Sequence, residues 1–269
     1  MRMRGPKVFK IATFNINNIN SRLQNLREWL AESKPHIVCL QELKSTQANF
    51  PERDLLKAGY HAVWRGQQAW NGVAILSRVG TPVVTRYSLP GDQDDTQSRY
   101  LEAAVAGLIV GCIYLPNGNP QPGPKFDYKL QWFKRLSRHA RKLWNSGHPV
   151  ILAGDYNVVA ADLDIYPTKS WDDDALLQPE IRTAYQKLLS QGWTDAIRKL
   201  FPDERIYTFW DYKRKRWERD AGLRLDHLLL SKELAKRLTG GGVDRDVRSR
   251  AHASDHAPAW IKVQVPSLG

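Results

Sequence analysis

Pro149 to Ala160 reads PVILAGDYNVVA, and the fold is decided by how this stretch is read. Val150, Ile151, Leu152 and Ala153 make an uninterrupted apolar run, the pattern of a strand covered on both faces. Gly154 lets the backbone turn, or another segment come close, where the run ends. Asp155 and Asn157 follow two residues apart, so in an extended segment they point the same way. A carboxylate and an amide side by side at the mouth of a buried sheet can hold a water between them.

Upstream, Lys7 to Ile16 alternates and is rich in β-branched and aromatic residues, which predicts a strand. It runs into Asn15, Asn17, Asn18 and Asn20. Ser21 is a good N-cap, and Leu23, Leu26, Trp29 and Leu30 recur at helical spacing until Pro35. His36 to Leu40 is a second buried strand, and it delivers Gln41, Glu42 and Lys44. The unit is strand–helix–strand with polar residues beyond both strand ends, where open α/β folds bind ligands.

Further strands are predicted at 61–65, 73–77 and 81–87, with a short helix around 54–57 and a hairpin of 101–106 and 108–115 turning at Gly107. The longest helix runs from Phe126 to Trp144. Phe126, Leu130, Phe133, Ala140 and Trp144 form its apolar stripe; Lys129, Lys134, Arg135, Arg138 and Arg141 lie off it and read as a solvated face. After 150–153 come a helix at 179–191, a strand at 225–231, a short helix at 232–238, a glycine turn before 243–248 and a last strand at 257–265. Many short strands with few helices suggest two packed sheets with helices outside. No linker or composition break divides the chain, so residues 1–269 read as a single domain, with 1–6 a flexible tail.

The chain carries a net charge of +12, which favours a polyanionic partner. No lipidation motif or cationic amphipathic terminus supports a membrane, so nucleic acid is the better reading. No apolar run approaches the roughly 20 residues of a membrane helix, and the basic N-terminus lacks an apolar signal core; the expected location is cytoplasmic. Cys39 and Cys112 sit in apolar runs and read as buried reduced thiols. Phosphate-binding GxxxxGK[ST] loops, HExxH, GxSxG and GxGxxG after a strand are all absent, which argues against the usual NTPases, zincins, serine hydrolases and dinucleotide enzymes.

Five strand-end clusters remain: Asn15 with Asn17; Glu42; Asp155 with Asn157; Asp226; and Asp255 with His256. Their types fit one task. Mg²⁺ is held through one or two carboxylates plus waters and phosphate oxygens, and Glu42, the asparagines and Asp255 offer such a partial shell. Cleaving a phosphodiester also needs an aligned water and cover for charge on the phosphate. Asp155 suits orienting and deprotonating the water. Asn157 suits the phosphate. His256 suits a nonbridging oxygen, with Asp226 on its other nitrogen. Tyr114, ending a strand before Pro116-Asn117-Gly118, adds a phenol. Whether Asp155 or His256 is the base stays open at this stage.

TFNIN (13–17), LQELK (40–44), IYLPNG (113–118), LAGDYNV (152–158), LRLDHLLLS (223–231) and SDHAP (254–258), in that order, resemble the exonuclease III family of DNA-repair nucleases, within the endonuclease/exonuclease/phosphatase superfamily. The resemblance runs from about Lys10 to Val263. It implies a four-layered α/β sandwich, two packed mixed β-sheets flanked by helices. It implies Mg²⁺-dependent cleavage 5′ to abasic sites in duplex DNA, 3′→5′ exonuclease action and 3′-end cleaning, with Mn²⁺ as a substitute ion and a monomer as the working form. It makes Glu42 the principal metal ligand, with Asn15, Asn17 and Asp255 near the ion, and Tyr114, Asp155, Asn157, Asp226 and His256 catalytic. Asn17 stands where some members carry Asp, and His227 where relatives often carry an apolar or aromatic residue.

Tyr207 to Arg224 interleaves Phe209, Trp210, Tyr212 and Trp217 with lysines and arginines. Cations there can meet phosphates while an aromatic packs against a missing base. The resemblance puts Phe209 and Trp210 at an abasic-sugar pocket. Arg99, Lys125 and Arg224 are candidate DNA contacts, and Trp171 a possible wedge. Asp172, Asp173 and Asp174 find no role in the sequence. The alternative is a superfamily phosphodiesterase acting on RNA or a small phosphorylated substrate. A DNA-binding protein without catalysis would have no use for carboxylates that repel phosphate.

Overall fold

The computed structural model describes residues 7–265; the expected tail, 1–6, lies outside the described residues. The first strand–helix–strand unit is β1 (Lys7–Asn15), α1 (Leu23–Ser33) and β2 (Ile37–Gln41), with β1 and β2 parallel and Asn15 opposite Gln41. After α2 (Glu52–Lys57), β3 (His61–Arg65) and β4 (Val73–Ser77) add antiparallel to β2. A second sheet begins with β5 (Val83–Arg86), β6 (Tyr100–Val105) and β7 (Leu108–Tyr114). Helix α3 (Pro124–Asn145) crosses over to β8 (Val150–Asp155), parallel to β7 with Tyr114 opposite Asp155. Next come α4 (Pro179–Leu189), β9 (Thr194–Asp195) and α5 (Ala196–Leu200). The chain closes with β10 (Asp226–Leu230), α6 (Lys232–Ala235), β11 (Leu238–Val243) and β12 (Ala259–Val265).

The sheets are ordered β11-β12-β1-β2-β4-β3 and β5-β6-β7-β8-β10-β9. Each has one parallel pair at its centre, and the last two strands return to the first sheet. Ile11, Cys39, Cys112, Ile151, Leu228 and Ile261 belong to one core between the sheets. Trp132, Leu136, Tyr185 and Leu188 pack the helices α3 and α4 on the outer face of the second sheet. Leu26, Trp29 and Leu55 do the same for α1 and α2 on the first. The molecule is therefore a four-layered α/β sandwich. No described helix is long and apolar enough to cross a membrane.

The arrangement gathers one edge. The parallel strands β1, β2, β7 and β8 end there, and the antiparallel β10 and β12 begin there. All five polar clusters therefore reach the same rim.

Several local expectations change. Strand β8 does not stop at Gly154: it continues to Asp155, and the glycine is needed because a Cβ there would collide with the Ile113 carbonyl. The glycine run is strand, not turn. Gly240–Gly242 pair with Trp260–Lys262 in β11, and a Cβ on Gly241 would stand 2.7 Å from Leu200 Cδ1. Residues 245–249 then form a 3-10 turn rather than extended chain. Ser21 does not cap α1; its own N–H is taken by Asn18 Oδ1, and the helix starts two residues later. On α3 the basic residues are not all solvated: Lys129 and Arg135 are buried, Arg135 against the Leu89 and Pro90 carbonyls and Asp95.

Candidate active site

Asp155 closes β8 and is fully enclosed. Its Oδ2 accepts from Asn15 Nδ2 at 2.9 Å and its Oδ1 from the Asn157 N–H at 2.9 Å. Burial raises its pKa, the His256 charge lowers it and Asp226 raises it again, leaving it at about 7. His256 faces it, with Nε2 3.9 Å from Oδ2, a gap wider than a direct hydrogen bond. The other ring nitrogen, Nδ1, lies 2.7 Å from Asp226 Oδ2. Burial would lower the imidazole pKa, but Asp226, Asp155 and Asp255 raise it to about 10. The ring is thus an imidazolium at neutral pH with one N–H free to point at a ligand. Asp226 Oδ1, buried, has no partner.

Asn15 joins the sheets. Its Nδ2 also donates to Glu42 Oε1 at 2.9 Å, so one amide ties β1 and Glu42 to β8. Its Oδ1 is taken by the Asn17 N–H. The metal-ligand role expected of Asn15 is not its geometry here: it presents nitrogen to both carboxylates and acts as a strut. Tyr114 donates to Glu42 Oε1 at 2.8 Å, and burial and Glu42 hold the phenol far above its ordinary pKa, so it stays protonated. Arg99 stacks over the Tyr114 ring, 4.7 Å from its centroid.

Toward solvent the set turns cationic. Lys44 Nζ sits 2.9 Å from Glu42 Oε2 and 2.6 Å from Asn17 Oδ1, while Asn17 Nδ2 donates to Asp255 Oδ1 at 3.0 Å. Burial would raise the Glu42 pKa, but Lys44 and Asn15 bring it below its ordinary value. An ammonium already bridging two hard oxygens marks a place built to hold positive charge, and the Glu42 and Asp255 carboxylates with the Asn17 amide oxygen are hard donors of the kind Mg²⁺ accepts. Among the described residues no three His, Cys, Asp or Glu side chains form a ready-made cage. That agrees with an ion held in part by substrate oxygens and water. Lys44 is a site residue the sequence reading delivered to the rim but did not assign; its position two after Glu42 was the available signal.

The backbone is strained at this rim. Asn17, Glu42, Lys44 and Asn157 all have positive φ, between 47° and 52°. Such conformations cost about 1–3 kcal/mol each and gather at functional sites.

The expected DNA-contact residues separate. Phe209 packs on His256, ring centroids 5.0 Å apart, and Trp171 packs on Phe209 at 6.4 Å. Arg216 stacks on Trp171 at 5.1 Å and donates to Ser170 Oγ. These three form a wall beside the catalytic cluster. Trp210 does not belong to it: it is wholly buried, donates to Asp220 and packs against Tyr207 and Trp217. Arg224 is also no surface contact. It is 1% exposed and clamps Asp164 and Asp195, because the polar alternation that suggested a basic loop turns inward as β10 begins. Arg99 is half-buried and Lys125 exposed at the start of α3. Asp174 acquires a role as a turn cap, accepting from Asn119 Nδ2 and the Leu176 N–H; Asp172 and Asp173 are exposed. Trp70, 73% exposed with Lys44 5.9 Å from its ring, was missed, since a lone tryptophan in a polar loop gives no pattern.

Comparison with known proteins bears on the family and the fold. A model of the endonuclease/exonuclease/phosphatase family matches residues 12–256. Exodeoxyribonuclease III of Haemophilus influenzae is 33% identical, over 94% of this chain and 99% of the relative. The structure of an AP endonuclease from Archaeoglobus fulgidus is 37% identical with a TM-score of 0.90, covering 96% of this chain and all of that one. A Neisseria 3′ phosphatase bound to product DNA hairpin is 38% identical with a TM-score of 0.91, with the same coverage.

Proposed function

The chain belongs to the endonuclease/exonuclease/phosphatase family and is a DNA-repair nuclease of the exonuclease III type; on that premise we propose that it cleaves the phosphodiester 5′ to abasic sites in duplex DNA and trims and cleans 3′ ends, using Mg²⁺. The observation that carries the reading is the pair Asp155 and His256, 3.9 Å apart, one a carboxylate pushed up to about 7 and the other an imidazolium backed by Asp226. A base poised near neutrality and a fixed cation on one rim serve hydrolysis of a phosphate ester.

In the reaction, Asp155 orients a water through the lone pairs left by Asn15 and the Asn157 N–H, and takes its proton. The water oxygen forms the new bond to phosphorus as the bond to the leaving oxygen breaks. His256 donates its Nε2–H to a nonbridging phosphate oxygen and remains charged, which Asp226 favours. Taking Asp155 rather than His256 as the base is supported by the carboxylates around His256, which raise the imidazole pKa and favour its charged form. Asn157 keeps one amide N–H on the Leu115 carbonyl and has its other, 3.4 Å from Asp155 Oδ2, for a phosphate oxygen. Glu42, Asn17 and Asp255 would hold Mg²⁺, with Tyr114 and Asn15 fixing the Glu42 carboxylate. The ion, when bound, supplies positive charge to the phosphate and the leaving oxygen.

Phe209 and Trp171 line the space for an extruded abasic sugar, and a nucleotide lacking its base costs less to extrude. Arg99 and Lys125 serve the phosphates on either side. A monomer suffices, since every group in the scheme comes from one chain.

Incubating the protein with a labelled duplex carrying one abasic analogue, with Mg²⁺ or with EDTA, tests this. Incision at the analogue only with Mg²⁺ is expected. Trimming of 3′ ends without incision would remove the abasic specificity, cleavage of RNA alone would favour the superfamily alternative, and DNA retarded but intact would refute hydrolysis.

A further inference from the structure

Lys129 lies on α3, behind the catalytic rim, and none of it reaches solvent. Its Nζ donates to the carbonyls of Asn117 at 2.8 Å, Asn157 at 2.7 Å and Ala175 at 3.0 Å. These carbonyls belong to three loops: the one leaving β7, the one leaving β8, and the one between Trp171 and α4. Three N–H groups meet three acceptors, so only the ammonium satisfies them all; a neutral amine would leave one carbonyl facing a lone pair. Gly118 keeps the space clear, for a Cβ there would stand 2.6 Å from Lys129 Cδ. Burial pushes the ammonium down, to about 7, and Asp174 and Asp155 pull against that fall.

Asn157 needs holding. It sits on left-handed backbone, φ 47°, with its N–H on Asp155 Oδ1 and its Nδ2 on the Leu115 carbonyl at 2.8 Å. Lys129 fixes the remaining polar group of its backbone. The loop bearing Asn117, whose Nδ2 lies 3.4 Å from Asn157 Oδ1, is pinned by the same nitrogen.

We propose that Lys129 is a positioning residue for the phosphodiester cleavage: its ammonium locks the loops leaving β7 and β8 together, so that the Asn157 amide is presented beside Asp155. The proposal rests on the assignment of Asn157 to the phosphate made above. Its direct contact with the catalytic set is the Asn157 carbonyl, and it touches neither substrate nor metal.

A double-mutant cycle on the Mg²⁺-loaded enzyme and the labelled abasic duplex tests it. Lys129→Met is expected to lower kcat about 10- to 100-fold with KM little changed, the cost of about 1 Å of misplacement. Because both changes remove one unit, Lys129→Met/Asn157→Ala should be no slower than Asn157→Ala within about twofold. Lys129→Arg keeps the charge but not one nitrogen's three donors, and should restore kcat only in part. Losses that multiply in the double variant, or a wild-type kcat for Lys129→Met beside an impaired Asn157→Ala, would overturn the proposal alone. Full activity in Asn157→Ala would overturn the assignment beneath it, and the proposal with it. If circular dichroism shows Lys129→Met unfolded, Lys129→Gln, with two N–H donors, takes its place under the same criteria.

Discussion

Arg224 and Asp226 are two residues apart, and each anchors a buried cluster of carboxylates, around Arg224 with Arg198 in the first case and around His256 in the second. The clusters are otherwise opposites. Around Arg224, Nε and Nη2 meet Asp164 at 2.7 and 2.9 Å and Nη1 meets Asp195 at 2.8 Å. Burial alone would raise both acids, but the guanidinium holds Asp164 below its ordinary value and Asp195 well below it. Around His256 the contacts are incomplete. Asp226 keeps an oxygen without a partner, Asp155 stands off by 3.9 Å, and it is pushed up to about 7. A closed cluster fixes the chain; an open one, with its charge unbalanced, is completed by something that arrives. Both are buried, so burial alone does not tell function from structure, whereas the pairing of the carboxylate oxygens does: every oxygen of Asp164 and Asp195 has a donor.

Substitution breaks the comparison most sharply at the open cluster. Asp155→Asn is expected to reduce kcat by about 10²–10⁴, the usual worth of a general base. It should not lower the melting temperature, because it removes a buried carboxylate held under cost. The closed cluster should behave in reverse. Arg224→Met removes the main cation of Asp195 and one of the two guanidinium partners of Asp164, the other being Arg198, and should cost about 3–5 kcal/mol in urea unfolding, with the activity of the molecules still folded nearly intact. If Arg224→Met abolished activity without loss of stability, the division between the clusters would fail.

Phe209 and Trp210 repeat the contrast on adjacent residues. Trp210→Ala should cost about 3–5 kcal/mol of stability, since that ring is wholly buried. Phe209→Ala should leave stability within about 2 kcal/mol of wild type, because the ring is half-buried. Its loss should show as weaker incision at abasic sites.

The smallest effect is in pH and has opposite sign at the two clusters. Asp164 and Asp195 are lowered, so their stabilisation is present above the ordinary value of 3.8 and is lost as pH falls through their folded values. Asp155 is raised, so it costs stability progressively as pH climbs from 3.8 to about 7. In EDTA, the advantage of Asp155→Asn in melting temperature should therefore be small at pH 4 and full above pH 7. An advantage that did not change across that window would contradict the raised value.

The sequence made the open cluster legible because each member follows or precedes an apolar strand, and a parallel topology brings such ends to one rim. Asp155, Asp226 and His256 needed no more than that. Arg224 and Trp210 were misread because the stretch that holds them looks basic and aromatic at every position, while burial is decided by the Ile165–Leu223 and Phe209–Leu223 bridges between distant segments. The Gly240–Gly242 strand was misread for a related reason: those glycines answer to Leu200 and Trp260 across space, not to a local turn. Lys129 looked like solvated charge, since three carbonyl acceptors in three loops leave no mark on the sequence around it.

The claim that Asp155 takes the proton of the attacking water is tested most directly by single-turnover cleavage of the labelled abasic duplex across pH with saturating Mg²⁺. Wild type should slow as pH falls below about 7, with Asp155→Asn slow and flat over the same range. An Asp155→Asn enzyme with the wild-type rate and pH profile would contradict the account.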